Sequence, residues 1–134
     1  MTSKFSELPL VEISWGEFFD RLTILEIKLE KISDIDKCKK VQDSFNSLIS
    51  SGMSVDNFPD DVQLLYFKLK EINNSLWEIE DGKRDCERRQ DFGLVFVNLA
   101  RSVYIKNDTR AQYKREIDLI LKSKLIEVKS HESY

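Results

Sequence analysis

The chain reads as an all-α helical bundle of four or five helices with extended N- and C-terminal arms, and three observations carry that reading. Apolar residues recur at three- and four-residue spacing along most of its length, the period of a helix face. Only four Gly and two Pro are available for the turns of a sheet protein. A composition of 34% charged and 41% hydrophobic residues over 134 positions suits one globular domain, 1–134, with a single core.

Residues 1–13 form the N-terminal arm, since Pro9 punctuates them and Leu8, Leu10, Val11 and Ile13 are side chains to dock on the body. Ser14 then caps a helix over Trp15–Ile32. Its apolar residues Trp15, Phe18, Phe19, Leu22, Leu25, Leu29 and Ile32 keep helical spacing, and Ser14 with Glu17 has the capping-box arrangement. Asp34-Ile35-Asp36 starts a shorter helix that runs to about Ser50, followed by loop chemistry around Gly52 and Pro59. A long helix is predicted over Asp60–Asp81, where Val62, Leu65, Leu69, Ile72, Leu76 and Ile79 make a heptad-like seam. Gly82 is expected to bend or end it. Phe92–Ile105 is apolar almost all round and is predicted to be the central, most buried helix. Asn107 or Asp108 then caps a final helix over Thr109–Ser123, and the tail finishes as a short strand or an extended arm.

The exclusions are physical. The first ten residues hold no apolar stretch of signal-peptide length, and the longest wholly apolar run later on is Leu94–Val97, so neither secretion nor a membrane span is expected. Cys38 and Cys86 are isolated, which reads as two reduced thiols in a cytoplasmic protein, Cys86 filling an apolar gap on the seam. A net charge of −3 argues against nucleic acid as a partner. His131 is the sole histidine, too little for a histidine-based metal site or a serine–histidine nucleophile. No cofactor is implied. The long seam suggests a homodimer.

Charge is nevertheless segregated. From Asn98 to Arg115 the five cations Arg101, Lys106, Arg110, Lys114 and Arg115 face the single acid Asp108, a local +4 that leaves −7 for the rest of the chain. Placed in the first turn of the final helix, Arg110 points to the core side and opposes the helix dipole, so it needs a negative partner. Glu26, lying inside the apolar stripe of the first helix, is the complementary anomaly, and a buried Glu26–Arg110 pair satisfies both. Alternatively Arg110, Lys114 and the helix start form an anion pocket for a phosphate or carboxylate, closed by Arg101, Tyr104 and Asn107.

The acids Glu78, Glu80, Asp81 and Asp85, joined by Glu26 and Glu30, are the other candidate constellation. Carboxylates at this spacing hold Mg²⁺ jointly with a substrate phosphate in helical nucleotide hydrolases. Arg84, Arg88 and Arg89 are interleaved with them, so the ion pairs Glu80–Arg84 and Asp85–Arg89 offer a simpler account.

Three blocks, ISWGEFFDRLTILEIKLEKI, LWEIEDGKRDCERRQDFG and LARSVYIKNDTRAQYKREI with the ending IEVKSHESY, resemble a family of short bacterial proteins known as a domain of unknown function. Members of that family are sometimes found beside glycosyltransferase and surface-polysaccharide genes, which implies an accessory role in sugar metabolism. The resemblance singles out Gly16, Glu17, Asp20, Arg21, Thr23, Glu26 and Lys28 in the first block, Trp77, Asp81 and Arg84 in the second, and Arg101, Tyr104, Asn107, Asp108, Arg110, Lys114 and Arg115 in the third. No block is a catalytic signature. The expected function is therefore a small binding or scaffold protein taking an anionic ligand, such as a sugar nucleotide, near Arg101–Arg115. The alternative is Mg²⁺-dependent hydrolysis of a nucleotide or sugar nucleotide by Glu26, Glu30, Glu78 and Asp81.

Overall fold

A computed structural model describes residues 3–51 and 54–128, an all-α bundle of four helices with no strand among them. They are α1 (Trp15–Lys31), α2 (Ile35–Ser51), α3 (Asp60–Arg89) and α4 (Leu94–Ile120), with one 3-10 turn at Val55–Asn57. No helix among the described residues is long and apolar enough to cross a membrane. His131 lies outside the described residues.

Ser14 caps α1 as its sequence predicts, its Oγ accepting from the Glu17 amide at 3.0 Å. Glu17 does not return the bond; its carboxylate turns to Arg21 and Lys114 instead. Asp34 caps α2 by accepting from the Lys37 amide at 2.9 Å. α3 and α4 form an antiparallel hairpin, about 45 Å and about 40 Å long, closed by a short loop at Gln90–Gly93. Gln90 there takes the left-handed conformation at φ 54° that ends α3.

α1 runs in the same sense as α3, with Trp15 beside Phe58 at one end and Lys31 beside Glu78 at the other. It is the central helix of the bundle, touching α2, α3 and α4, whereas α2 packs on α1 alone. The core lies at the base, where Phe18, Phe19 and Leu22 of α1 meet Val62, Leu65, Tyr66 and Leu69 of α3, with Phe58 and Ile117 completing it. Phe58 is a loop residue that edges onto Phe19 at 4.9 Å between ring centres and onto Trp15 at 5.3 Å.

Four expectations are corrected. Helix α3 does not stop at Asp81 but continues through Gly82 to Arg89. The side of Gly82 faces Leu99 of α4, whose nearest carbon lies only 3.0 Å from where a Cβ would stand, so the missing side chain serves packing between the hairpin helices. The predicted pair of helices over Phe92–Ile105 and Thr109–Ser123 is one helix, unbroken at Asn107-Asp108. Its first turns are not the buried centre: Leu94 and Val95 are exposed because α1 is only about 25 Å long and ends before reaching them. The side chains Leu8, Leu10 and Val11 of the N-terminal arm are exposed rather than docked, with Ile13 alone half-buried.

Candidate functional site

A polar layer crosses the middle of the bundle where a helical core would ordinarily be apolar. Asp20 and Thr23 enter from α1, Asn73 from α3 and Arg110 from α4; Asp20, Thr23 and Asn73 are buried. The Arg110 Nε donates to Asp20 Oδ1 at 2.8 Å while its Nη2 donates to Oδ2, a two-pronged grip on a carboxylate held inside the protein. The Asn73 amide nitrogen donates to Asp20 Oδ1 and to Thr23 Oγ1, both at 2.8 Å, and the Thr23 hydroxyl donates to the Asp20 carbonyl at 2.7 Å. Hydrogen bonding to Asp20 raises the Arg110 pKa against the opposing effect of its own burial.

One turn toward the base, Lys114 of α4 is buried between two carboxylates. Its Nζ lies 2.8 Å from Glu17 Oε2 and 3.1 Å from Glu127 Oε2. Burial works to lower the Lys114 pKa, but Glu17, Asp20 and Glu127 outweigh it and the net shift is upward. Burial likewise works to raise the Glu17 carboxyl, and the hydrogen bonds from Lys114 and Arg21 bring it below its ordinary value instead. Asp118 completes the layer as a second cap of α1: its Oδ1 accepts from the Gly16 amide and its Oδ2 from the Glu127 amide, each at 2.7 Å. Among the described residues no buried side-chain polar atom is left without a partner.

Beside the layer opens a cavity of about 470 Å³ between α1, α3 and α4. Ile24, Ile27, Leu76 and Trp77 make its apolar wall; Asn73 and Arg110 stand at the buried layer, and Glu80, Asp81 and Arg84 complete the lining. The volume matches a small-molecule site. The two arginines and two acids balance in charge, and the Arg110 cation is already answered by Asp20, so a ligand here meets directed hydrogen-bond donors rather than a strong positive field. The third guanidinium nitrogen of Arg110, Nη1, takes no part in the Asp20 grip.

Residues from all three sequence blocks meet at this place: Asp20 and Thr23, then Trp77, Asp81 and Arg84, then Arg110. Other expected site residues do not come to it. Arg101, Tyr104 and Asn107 are exposed along α4. Lys114 is occupied by Glu17 and Glu127. Arg110 sits mid-helix, not in a first turn, so no helix N-terminus contributes to an anion pocket beside it.

The expected Glu26–Arg110 pair does not form. Glu26 instead accepts from the Tyr66 hydroxyl and pairs with Lys70 at 3.0 Å, while Lys70 also reaches Glu30 at 2.7 Å. Burial, together with Glu26 and then Glu30, pushes the Tyr66 hydroxyl pKa well up, and the Glu30 hydrogen bond leads the rise at Lys70. The acids proposed for Mg²⁺ are likewise dispersed. Glu26 and Glu30 share Lys70, Glu78 lies out beside Lys31 at 3.9 Å, and Asp81 lines the cavity. No three Asp, Glu, His or Cys side chains among the described residues group as a metal site. Glu80 pairs with Lys83 at 3.1 Å in place of Arg84, whereas the expected Asp85–Arg89 pair stands at 3.0 Å. Cys86 is buried on the seam as its spacing suggests.

Sequence reasoning leaves out Asn73, Asp118 and Glu127; the resemblance points to Asp20, but helical periodicity by itself gives it no role. A signal existed at Asp20, a carboxylate flanked by Phe19 and Leu22 in the first helix. No protein-family description, curated protein or solved structure matches the chain.

Proposed function

We propose that the protein is a non-catalytic binding module that holds an amphipathic ligand with an anionic head in the cavity between α1, α3 and α4. The observation that carries this reading is the way Arg110 lines the cavity. Its Nε and Nη2 are fixed on buried Asp20, so the guanidinium is held in place before any ligand arrives, opposite an apolar wall that includes Trp77. A planar or apolar body packs against Trp77, Ile24 and Ile27, and a phosphate or carboxylate head takes hydrogen bonds from Arg110 and the more exposed Arg84. A sugar nucleotide has this division of chemistry.

The test is a thermal-shift series with inorganic phosphate, a sugar phosphate and a nucleoside diphosphate sugar, each to millimolar concentration. The nucleoside diphosphate sugar is expected to raise the Tm of the wild type by mass action, and inorganic phosphate to raise it less because it lacks the apolar body. Trp77→Leu is expected to abolish the difference between the two, and Arg84→Ala to weaken binding about tenfold, one charge-assisted contact. No shift with any probe, or shifts that survive Trp77→Leu unchanged, would contradict the proposal. Turnover of the probe with Mg²⁺, lost in Asp81→Asn, would overturn its non-catalytic half.

A further inference from the structure

Granted that the cavity between α1, α3 and α4 holds a ligand with an anionic head, we infer that Asp81 selects that ligand, and that it selects a phosphorylated sugar whose neighbouring hydroxyls donate to its carboxylate. Most polar groups of the lining are already engaged within the protein. Asn73 donates to Asp20 and Thr23, Arg110 grips Asp20, and Glu80 pairs with Lys83. Asp81 and Arg84 line the same cavity and take part in no hydrogen bond or ion pair among the described residues.

Trp77, Asp81 and Arg84 follow one another at i, i+4 and i+7 of α3. They therefore lie within about 60° of one another around the helix and rise about 10 Å along it. The free carboxylate stands one turn, about 6 Å, from the tryptophan, with the free guanidinium beyond it.

An ionised carboxylate accepts hydrogen bonds and donates none, so what Asp81 takes from a ligand is a donor. Arg84, three residues on, already sets a cation beside it and disfavours an ammonium there, whereas neutral hydroxyls bring no charge into that field. Two oxygens with nothing to accept match two hydroxyls on adjacent carbons. A pyranose ring has this shape: its faces are C–H surfaces that pack on an indole, and its hydroxyls project from the rim, where a side chain one turn from Trp77 stands. A phosphate on the same ring is left to the guanidinium groups.

Isothermal titration calorimetry with glucose 1-phosphate and cyclohexyl phosphate tests this, because the two share a six-membered ring and a phosphate and differ in their hydroxyls. Asp81 is exposed, so Asp81→Ala is expected to keep the helical circular dichroism spectrum and the Tm of the free protein. It is expected to weaken glucose 1-phosphate about tenfold, the share of one hydrogen-bonded charge, and to leave cyclohexyl phosphate unchanged or slightly tighter, since a like charge near the phosphate is gone. Trp77→Leu is expected to weaken both. If Asp81→Ala weakens both probes alike, or neither, while Trp77→Leu still weakens them, the role of Asp81 is overturned and the cavity remains a ligand site. Probes that bind equally well to Trp77→Leu, or bind to no form of the protein, would overturn both. Glucosamine 1-phosphate binding tenfold tighter than glucose 1-phosphate, with that gain lost in Asp81→Ala, would make the partner of Asp81 an ammonium and overturn its assignment to sugar hydroxyls.

Discussion

Asp20 is the residue on which the interior depends most. It is 1% exposed and carries its charge among Phe19, Leu22 and Ile27, an arrangement that holds only because Arg110 and Asn73 answer both oxygens. Removing the cation leaves the carboxylate buried and uncompensated. Arg110→Met is therefore expected to cost about 3–5 kcal/mol in urea unfolding. Adding Asp20→Leu should recover part of that loss, and only part, because Asn73 then loses an acceptor as well. Glu26→Leu in the same background should recover nothing, since Glu26 belongs to Tyr66 and Lys70. Full recovery by Glu26→Leu would place the pair where the sequence first suggested it. Glu26 drew notice there because it sits on the Trp15 face of the helical wheel. Asp20 lies about 140° around from Trp15, outside that apolar stripe, so only the resemblance points to it.

That misreading has its cause at the level of the element. A one-stripe reading suits a helix that packs on one side, and it identifies Phe18, Phe19 and Leu22 correctly. α1 packs on two sides: α2 takes one, and α3 with α4 takes the other, where Asp20, Thr23 and Ile27 are buried. Close approach of α1 to α4 depends on Gly16. A Cβ there would lie 2.3 Å from the Lys114 carbonyl oxygen and 2.9 Å from Asp118 Oδ1, backbone and cap that have no room to yield. Gly16→Ala is thus expected to destabilise by about 2–3 kcal/mol despite alanine's better helix propensity, whereas an unchanged urea midpoint would mean the two helices stand further apart. The continuity of α4 was equally hidden from the sequence. Asn107 and Asp108 have weak helix propensity, a cost below about 1 kcal/mol each, and contacts of the same helix on α1 and α3 override it.

Across the whole molecule, the polar layer joins α1, α3, α4 and the segment after α4 into one unit, with Glu17, Lys114 and Glu127 as its tie at the base. Because the Glu17 pKa is lowered on folding, its pairing contributes stability above the ordinary value of 4.5, and that contribution is lost as pH falls through the lower folded value. The Tm of the wild type should consequently fall more steeply below pH 4.5 than that of Glu17→Gln, which lacks the titrating group; parallel profiles would separate Glu17 from the tie. The same layer fixes Arg110 at the cavity, which is the central claim about function. The chain has two tryptophans, Trp77 lining that cavity and Trp15 packed against Phe58 in the core. Their two indole N–H signals in a ¹⁵N–¹H correlation spectrum therefore report on different places. On titration with a nucleoside diphosphate sugar, the Trp77 signal is predicted to move and saturate while the Trp15 signal stays fixed. Movement of Trp15 alone, or of neither, would contradict a ligand site between α1, α3 and α4.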